Sequence, residues 1–423
     1  MRPTVGVFLL SLSFGLTWSA LAVGQEPIAV PLPTVKVEDV YTLDRVTNLA
    51  LSNSPVLRQA RGRIEQAQGL AIQAGLYPNP IQNSGNPVQL GGINSTYSSG
   101  FSQEVVRAGK LQLNQAAAEQ AVRQANLDFI RQRFDLLTAI RQQFFLLLAA
   151  QQRVSTLREL RATAQRSLDT SERLLQGGQA AETDVLLLRI EFRRIEASLR
   201  STEFLTTAGA QQLAALMGLP NLQIVRIQGD LLLRLPDFDN PQVREQLLMT
   251  SSLVENARTD IVRNQFLLRR AQAEPTPNLI VNGGYQYTAS QPHSQALVGL
   301  YFTMPIWDRN QGNIRAAGAN VSQSVAQLNT VQNELVRQLA DALGRFRAAQ
   351  ATVDNYEKGI LPDARRTLGL VQRGYEAGQF DFLRILQTQR SVFETNLEYI
   401  NALQDRLTAG AVIAGLLQLD QFP

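Results

Sequence analysis

The chain carries a single imidazole, the side chain most often used for acid–base and metal chemistry near neutral pH. His293 lies in a Ser290-Gln291-Pro292-His293 turn with no carboxylate cluster beside it, whereas a zinc site takes three or four ligands. Cysteine is absent, so neither a disulfide framework nor a thiolate metal site can form. No Gly-rich phosphate loop, Ser-His-Asp set or carboxylate pair stands out. The glycines of the GGYQY run after Asn282 fall inside a strand pattern, where glycine lets neighbouring chains approach. No catalytic residue, metal or cofactor is expected, and a hydrolase reading lacks both nucleophile and base.

The charge pattern excludes another class. A net charge of +4 is small for 423 residues, and the arginines alternate with Gln, Glu and Asp along helical stretches. That is a solvated helix surface, so no nucleic-acid partner is expected. At the N-terminus, Arg2, an apolar stretch from Val5 to Trp18 and Ala20-Leu21-Ala22 read as an export signal over residues 1–22. The stretch is shorter than the roughly 20 residues of a spanning helix. The missing cysteine also excludes an acylated N-terminal cysteine anchor.

The elements repeat. RLLQGGQAAETDVLLLRIEF from Arg173 and RGYEAGQFDFLRILQTQRSVF from Arg373 align so that Arg173/Arg373, Gly178/Gly378, Gln179/Gln379 and Leu186/Leu386 share one offset. YPNP at Tyr77 and TPNL at Thr276 have nearly the same offset, which marks a duplication of about 200 residues. Two repeats follow, at 23–235 and 236–423. Each holds a β-hairpin, at about 79–106 and 278–304, and a helical hairpin tip, at about 177–186 and 377–386.

Leu111 to Gln176 contains neither Gly nor Pro and is rich in helix formers, so it reads as one helix of roughly 100 Å. Leu147, Ala150, Val154, Leu157, Ala164, Leu168 and Leu175 follow coiled-coil spacing, interrupted at Arg161 and Ser171. Val185, Leu188, Phe192, Ile195 and Leu199 repeat it on the return, which makes Gly177 and Gly178 the tip of an antiparallel hairpin. In the second half a helix from Asn313 to Tyr375 carries Leu361, Ala364, Leu368, Val371 and Tyr375, and its return carries Leu386, Phe393, Ile400 and Leu407. Gly359 and Pro362 predict a kink or short break. Opening helices are expected at Pro55 to Leu76 and Gln242 to Ala273.

Before each long helix the period changes to two. Leu279, Val281, Tyr285 and Tyr287 share one face against Asn282, Gly284, Gln286 and Thr288; Val298, Leu300, Phe302 and Met304 follow the turn. The first half is weaker: Tyr97, Phe101 and Val105 alternate with Ser98, Gly100, Ser102 and Glu104 after Gly91-Gly92. Strands of about 10 or 11 residues match a tilted membrane β-strand, although a soluble antiparallel sheet packed on helices shows the same alternation. In a membrane, four strands cannot leave an open edge in hydrocarbon, so the barrel has to be shared between subunits, with eight, twelve or more strands.

The ordered segments AGLYPNP at Ala74, GFSQEVVRAGKLQLN at Gly100, GGQAAETDVLLLRIE at Gly177, VGLYFTMPIWDRNQGNIRAA at Val298 and ILPDARRTLGLVQRGYEAGQ at Ile360 resemble the TolC-type outer-membrane efflux factors, in the CzcC-like branch. The resemblance implies a mainly α protein with membrane β-hairpins, the TolC-like fold: a homotrimer forming a 12-stranded β-barrel in outer-membrane lipid and a periplasmic α-helical barrel. It implies docking to a periplasmic adaptor (membrane fusion) protein linked to an inner-membrane pump of the RND type. The docking tips map to Gly177, Gly178, Thr183, Asp184, Val185 and Leu186, and to Gly378, Gln379, Phe382, Leu383, Ile385 and Leu386. Membrane-facing positions are Tyr97, Phe101, Leu279, Val281, Tyr285, Tyr287, Val298, Leu300 and Phe302. Where the family's best-known member has two gate aspartates, this chain has Arg384 and Gln387, which speaks against an acidic ring at the periplasmic gate. The resemblance implies a passive channel of a tripartite efflux or type I secretion system, with metal cations, drugs, other small molecules or proteins as cargo. The alternative is an exported coiled-coil envelope protein without a pore.

Overall fold

The computed structural model describes residues 40–84, 95–178, 181–236, 238, 240, 242–288, 291–377, 379–380 and 382–422. The expected export signal, the Gly91-Gly92 turn and Gly378 lie outside these. An order of short helix, longer helix, β-strand pair, long helix and return helix runs through the described chain twice.

Helix α1 (Leu43–Asn53) is capped by Thr42, whose hydroxyl accepts from the Arg45 N–H. Ser54 ends α1 and caps α2 (Pro55–Gly75), with Pro55 in the first turn where its missing N–H costs nothing. The matching segment of the second half is also two helices, α5 (Gln242–Thr250) and α6 (Ser252–Ala273), where sequence reading expected one. Ser251 adopts ψ 121° and breaks the run. The break is buried, and the Gln418 amide meets Ser252 Oγ at 2.7 Å. Tertiary contact from the C-terminal segment thus overrides a local pattern that carries no strong stop.

Helix α3 (Lys110–Gln176) runs 67 residues without interruption and α4 (Glu182–Leu216) returns beside it. The expected seam is the observed one: Val154, Leu157, Ile195 and Leu199 form one buried cluster, and Leu168, Val185 and Leu188 another. Each buried leucine contributes roughly 1.5–3 kcal/mol. The polar interruption at Arg161 is absorbed by laying the guanidinium over the Phe192 ring, 5.3 Å from its centroid, within 3.6 Å of Glu196.

In the second half α7 (Gln311–Asn355) passes through a π-helical turn, Tyr356–Ile360, into α8 (Leu361–Glu376), and α9 (Phe382–Leu416) returns. The expected break is therefore a widened turn. Pro362 has no N–H to donate, and the Leu361 N–H reaches five residues back to the Tyr356 carbonyl.

Strands β1 (Ile81–Ser84), β2 (Thr96–Val105), β3 (Leu279–Thr288) and β4 (Gln291–Tyr301) form an antiparallel sheet in chain order. The β2–β3 pair joins the two halves, with Tyr97 opposite Tyr287, Gly100 opposite Gly284 and Val105 opposite Leu279. Here glycine serves close approach within one chain: a Cβ on Gly100 would lie 2.7 Å from the Gly283 carbonyl oxygen.

The largest core lies near the upper ends of the hairpins, where Ile140, Phe144 and Phe145 of α3 meet Leu213 of α4 and Leu407 of α9. Two buried arginines tie the connecting segments to it. Arg141 of α3 donates to the Leu419 and Asp420 carbonyls at 3.1 and 2.8 Å, and Arg406 of α9 donates to the Leu231 and Leu233 carbonyls at 3.1 and 3.2 Å. Each helix thus holds the segment that follows the other half's return helix.

Candidate functional site

The chemistry-bearing residues gather at the two ends of the molecule, the hairpin tips and the sheet. At the first tip α3 closes with Gly177 and Gly178, whose N–H groups donate to the Arg173 and Leu175 carbonyls. Gly178 has φ +73°, a left-handed cap that glycine adopts without a Cβ clash. Helix α4 opens without a capping side chain from Thr183 or Asp184. Its N-cap is Ala181, with no side-chain bond, and Glu182 and Asp184 occupy the first turn. Carboxylates there face the positive helix end and supply the stabilisation that a capping hydroxyl otherwise would. Thr183 and Leu186 are exposed, whereas Val185 is buried against Leu168 and Leu188. Val185 is therefore part of the hairpin's own core.

At the second tip the Gln379 and Phe380 N–H groups both donate to the Gly374 carbonyl, at 2.7 and 3.3 Å. The Phe380 ring occupies the space a Cβ on residue 374 would need. Arg384 lies over that ring, 4.6 Å from its centroid. Leu383, Arg384 and Gln387 are exposed and Ile385 is half-buried; Phe382 opens α9. Leu386 packs on the Leu168–Val185–Leu188 cluster, and Phe393 on the Val154–Leu157–Ile195–Leu199 cluster. These two side chains fasten the second hairpin to the first. The Phe380–Gly374 contact is invisible in the sequence, because it depends on the chain folding back on itself.

Higher in the second hairpin the sequence reading missed a polar cluster. Tyr356 donates to Glu398 at 2.5 Å and Tyr399 donates to Glu357 at 2.6 Å, with the two rings stacked 6.2 Å apart. The Glu398 bond holds the Tyr356 phenol above its ordinary pKa, and burial together with Glu357 does the same for Tyr399. Both remain donors.

At the other end, strand register puts every membrane-facing candidate within the strands on one side of the sheet. Tyr97 faces Tyr287, Val105 faces Leu279, Val281 faces Leu300, and Phe101, Gly283 and Val298 make one row. The opposite side carries Ser98, Gln286 and Gln295, then Ser102, Asn282 and Gly299; Leu297 and, toward the helix-proximal ends of the strands, Ile81, Ile280 and Tyr301 are apolar exceptions. Val298 is 87 % exposed, and the Tyr97 and Tyr287 rings lie 6.5 Å apart. Phe302 continues the apolar side past the end of β4, and the following loop exposes Met304, Ile306 and Trp307, the last by 86 %. Sequence reasoning did not use Trp307, although tryptophan beside an apolar strand is itself a signal of an interface.

The sheet is joined to the helices by a closed polar set. Lys110 is 2 % exposed; its ammonium donates to Asn278 Oδ1 at 3.1 Å and lies 3.8 Å from Glu274. Asn278 in turn donates to Glu104 at 2.7 Å. Every partner comes from a strand end or helix end, so the junction fixes the direction in which the strands leave the helices. Among the described residues no helix is long and apolar enough to cross a membrane, and no group of three His, Cys, Asp or Glu could hold a metal ion.

The second half, residues 243–417, matches the family described as Outer membrane efflux protein. The cobalt-zinc-cadmium resistance protein CzcC of Cupriavidus metallidurans is 26 % identical over 389 residues, 92 % of each chain. The chain is thus similar to outer-membrane efflux proteins, in its second half by the family match and over nearly its whole length by CzcC. Outer membrane protein TolC of Vibrio cholerae is 22 % identical over 339 residues, 76 % of this chain and 74 % of the relative. Among solved structures, the CmeC outer membrane channel of Campylobacter jejuni superposes with a TM-score of 0.75 at 16 % identity, covering 89 % of this chain and 85 % of that one; this likeness concerns the fold. The matched family, the V. cholerae relative and the C. jejuni structure are all described as outer-membrane proteins or channels.

Proposed function

We propose that the chain is the outer-membrane conduit of a tripartite efflux or secretion system, passive and without enzymatic activity. The observation that carries this reading is the open four-stranded sheet with one apolar side. Its edges, β1 and β4, need partners before the sheet can sit in hydrocarbon. Three copies joined β4 to β1 give a closed 12-stranded barrel, with the paired hairpins below it as a helical conduit. The two tips then lie at the periplasmic mouth, where Gly177, Gly178, Thr183, Asp184 and Leu186, with Gln379, Leu383 and Ile385, would meet an adaptor linked to an inner-membrane pump of the RND type. The C. metallidurans relative is named for cobalt, zinc and cadmium, which makes divalent metal cations the first cargo to test.

Purified protein in planar bilayers should give stepwise conductance, and cross-linking should stop at three chains; silent bilayers would sink the reading. In cells the protein should stay with the membrane through carbonate or urea washing, whereas a poreless envelope spacer should be released. Arg384→Ala should raise single-channel conductance, since it removes a cation stacked at the mouth. Unchanged conductance would remove Arg384 from the gate.

A further inference from the structure

The two hairpins differ most at one level. The first has an unbroken α3, with Thr156, Leu157, Glu159 and Ala162 where the second has Tyr356, Glu357, Gly359 and Pro362. Leu157 and Leu199 are buried in the first hairpin's seam. At the positions offset from them by the duplication, the second hairpin places Glu357 and Tyr399, two members of the crossed tyrosine–glutamate set. An apolar seam in one hairpin is thus a polar one in the other.

The polar set surrounds the π-helical turn. Tyr356 and Glu357 are its first two residues, and Glu398 and Tyr399 face it from α9. Within the turn Gly359 has open space around its missing Cβ, and Pro362 follows without a donor. A widened turn beside proline is a point where a helix bends at low cost, and hinges absorb motion over a few residues at element ends. Above it, Val353 is packed with Ala402 and Leu403; below it, Leu361 and Val371 resume an apolar seam. Two packed stretches are therefore joined by a widened turn, braced across the hairpin by the two tyrosine–glutamate bonds and the stacked rings.

We propose that the turn Tyr356–Ile360 is a pivot for the lower part of the second hairpin, and that the crossed pairs Tyr356–Glu398 and Tyr399–Glu357 are the clasp that holds the hairpin in the conformation seen here. The clasp has two reciprocal bonds, so losing one leaves the rings stacked and losing both frees the turn. The consequence for conduction rests on the pore reading; the pivot itself is a property of one chain.

The absence of native cysteine allows spin labels at chosen sites alone. One pair, R166C/R366C, spans the hairpins below the turn, and a reference pair, Q152C/R345C, spans them above it. Labelled chains diluted into unlabelled protein report distances within one chain by pulsed electron resonance. In Y356F/Y399F the 166–366 distance distribution should widen at least twofold while the 152–345 distribution stays as in the parent. E357Q/E398Q, which keeps weaker acceptors in place, should give an intermediate width. Unchanged 166–366 distances, or equal widening of both pairs, would overturn the proposal. Protein that shows the selective widening but conducts nothing in bilayers would refute the pore reading and leave the pivot standing.

Discussion

Val298→Arg should destabilise the membrane-inserted protein by about 2–4 kcal/mol, the cost of a cation on the lipid side near the bilayer midplane, and Leu300→Arg, one residue from the end of β4, by less. Val298 is 87 % exposed and pairs with Gly283, and Leu300 pairs with Val281, so neither arginine would find a partner on its own side of the sheet. Gln286→Arg, in the polar row with Ser98 and Gln295, should change stability by less than about 1 kcal/mol. Urea unfolding from lipid vesicles, with yield in the outer-membrane fraction as a second reading, checks the contrast. Equal damage from both sides would mean that the apolar side does not face lipid.

Arg141→Ala should lower stability by about 3–5 kcal/mol. The guanidinium is buried, donates to two carbonyls of the C-terminal segment and lies 5.2 Å from the Phe422 ring centroid. Burial pulls the Arg141 pKa down, with Asp420 opposing the shift, and the group stays charged at neutral pH. Removing it leaves the Leu419 carbonyl without its donor, at roughly 1–3 kcal/mol, and opens a cavity that the stacked ring cannot fill. Arg141→Met keeps most of the volume and should recover only the packing share. Denaturant midpoints in detergent measure the loss, and faster proteolysis within residues 417–422 locates it. A midpoint shift for Arg141→Ala no larger than that for Arg133→Ala, whose side chain is a third exposed and pairs with Asp420 at 2.8 Å, would contradict the strap.

The long-range architecture was legible wherever periodicity was long. Seven positions of a coiled-coil seam on α3 and five on α4 leave one helical phase, and Leu157, Leu168, Val185 and Leu188 are buried on it. Alternation in β3 and β4 likewise separated the two sides of the sheet, because a strand's period of two admits only one partition. Breaks were less legible. The break at Ser251 is held by Gln418, 166 residues beyond Ser252, and its only local marks are a serine N-cap and Glu255 in the following turn. Pro362 marked the place of the π-helical turn, but whether a proline opens, bends or widens a helix depends on the partners that neighbouring carbonyls find. The tyrosine–glutamate clasp escaped notice because its members lie 42 residues apart along the chain, and only antiparallel packing makes them neighbours. At the second tip, counting from the turn gave Arg384 a place at the entrance; the ring of Phe380 beneath it came from the fold.

The pairing of β2 with β3 has a consequence for how such a ring comes together. Edge strand β1 belongs to the first half and edge strand β4 to the second, so closing the proposed barrel repeats between copies the same first-half to second-half pairing that β2 and β3 make within one. Half of the six first-half to second-half seams of the finished cylinder are then intramolecular and form at an effective concentration in the millimolar range, independent of expression level. Only the remaining half must be found by collision. Duplication and fusion therefore shift assembly from a reaction of high order in monomer toward one of lower order, and ring closure should persist at dilutions where separately expressed halves would stay unassembled.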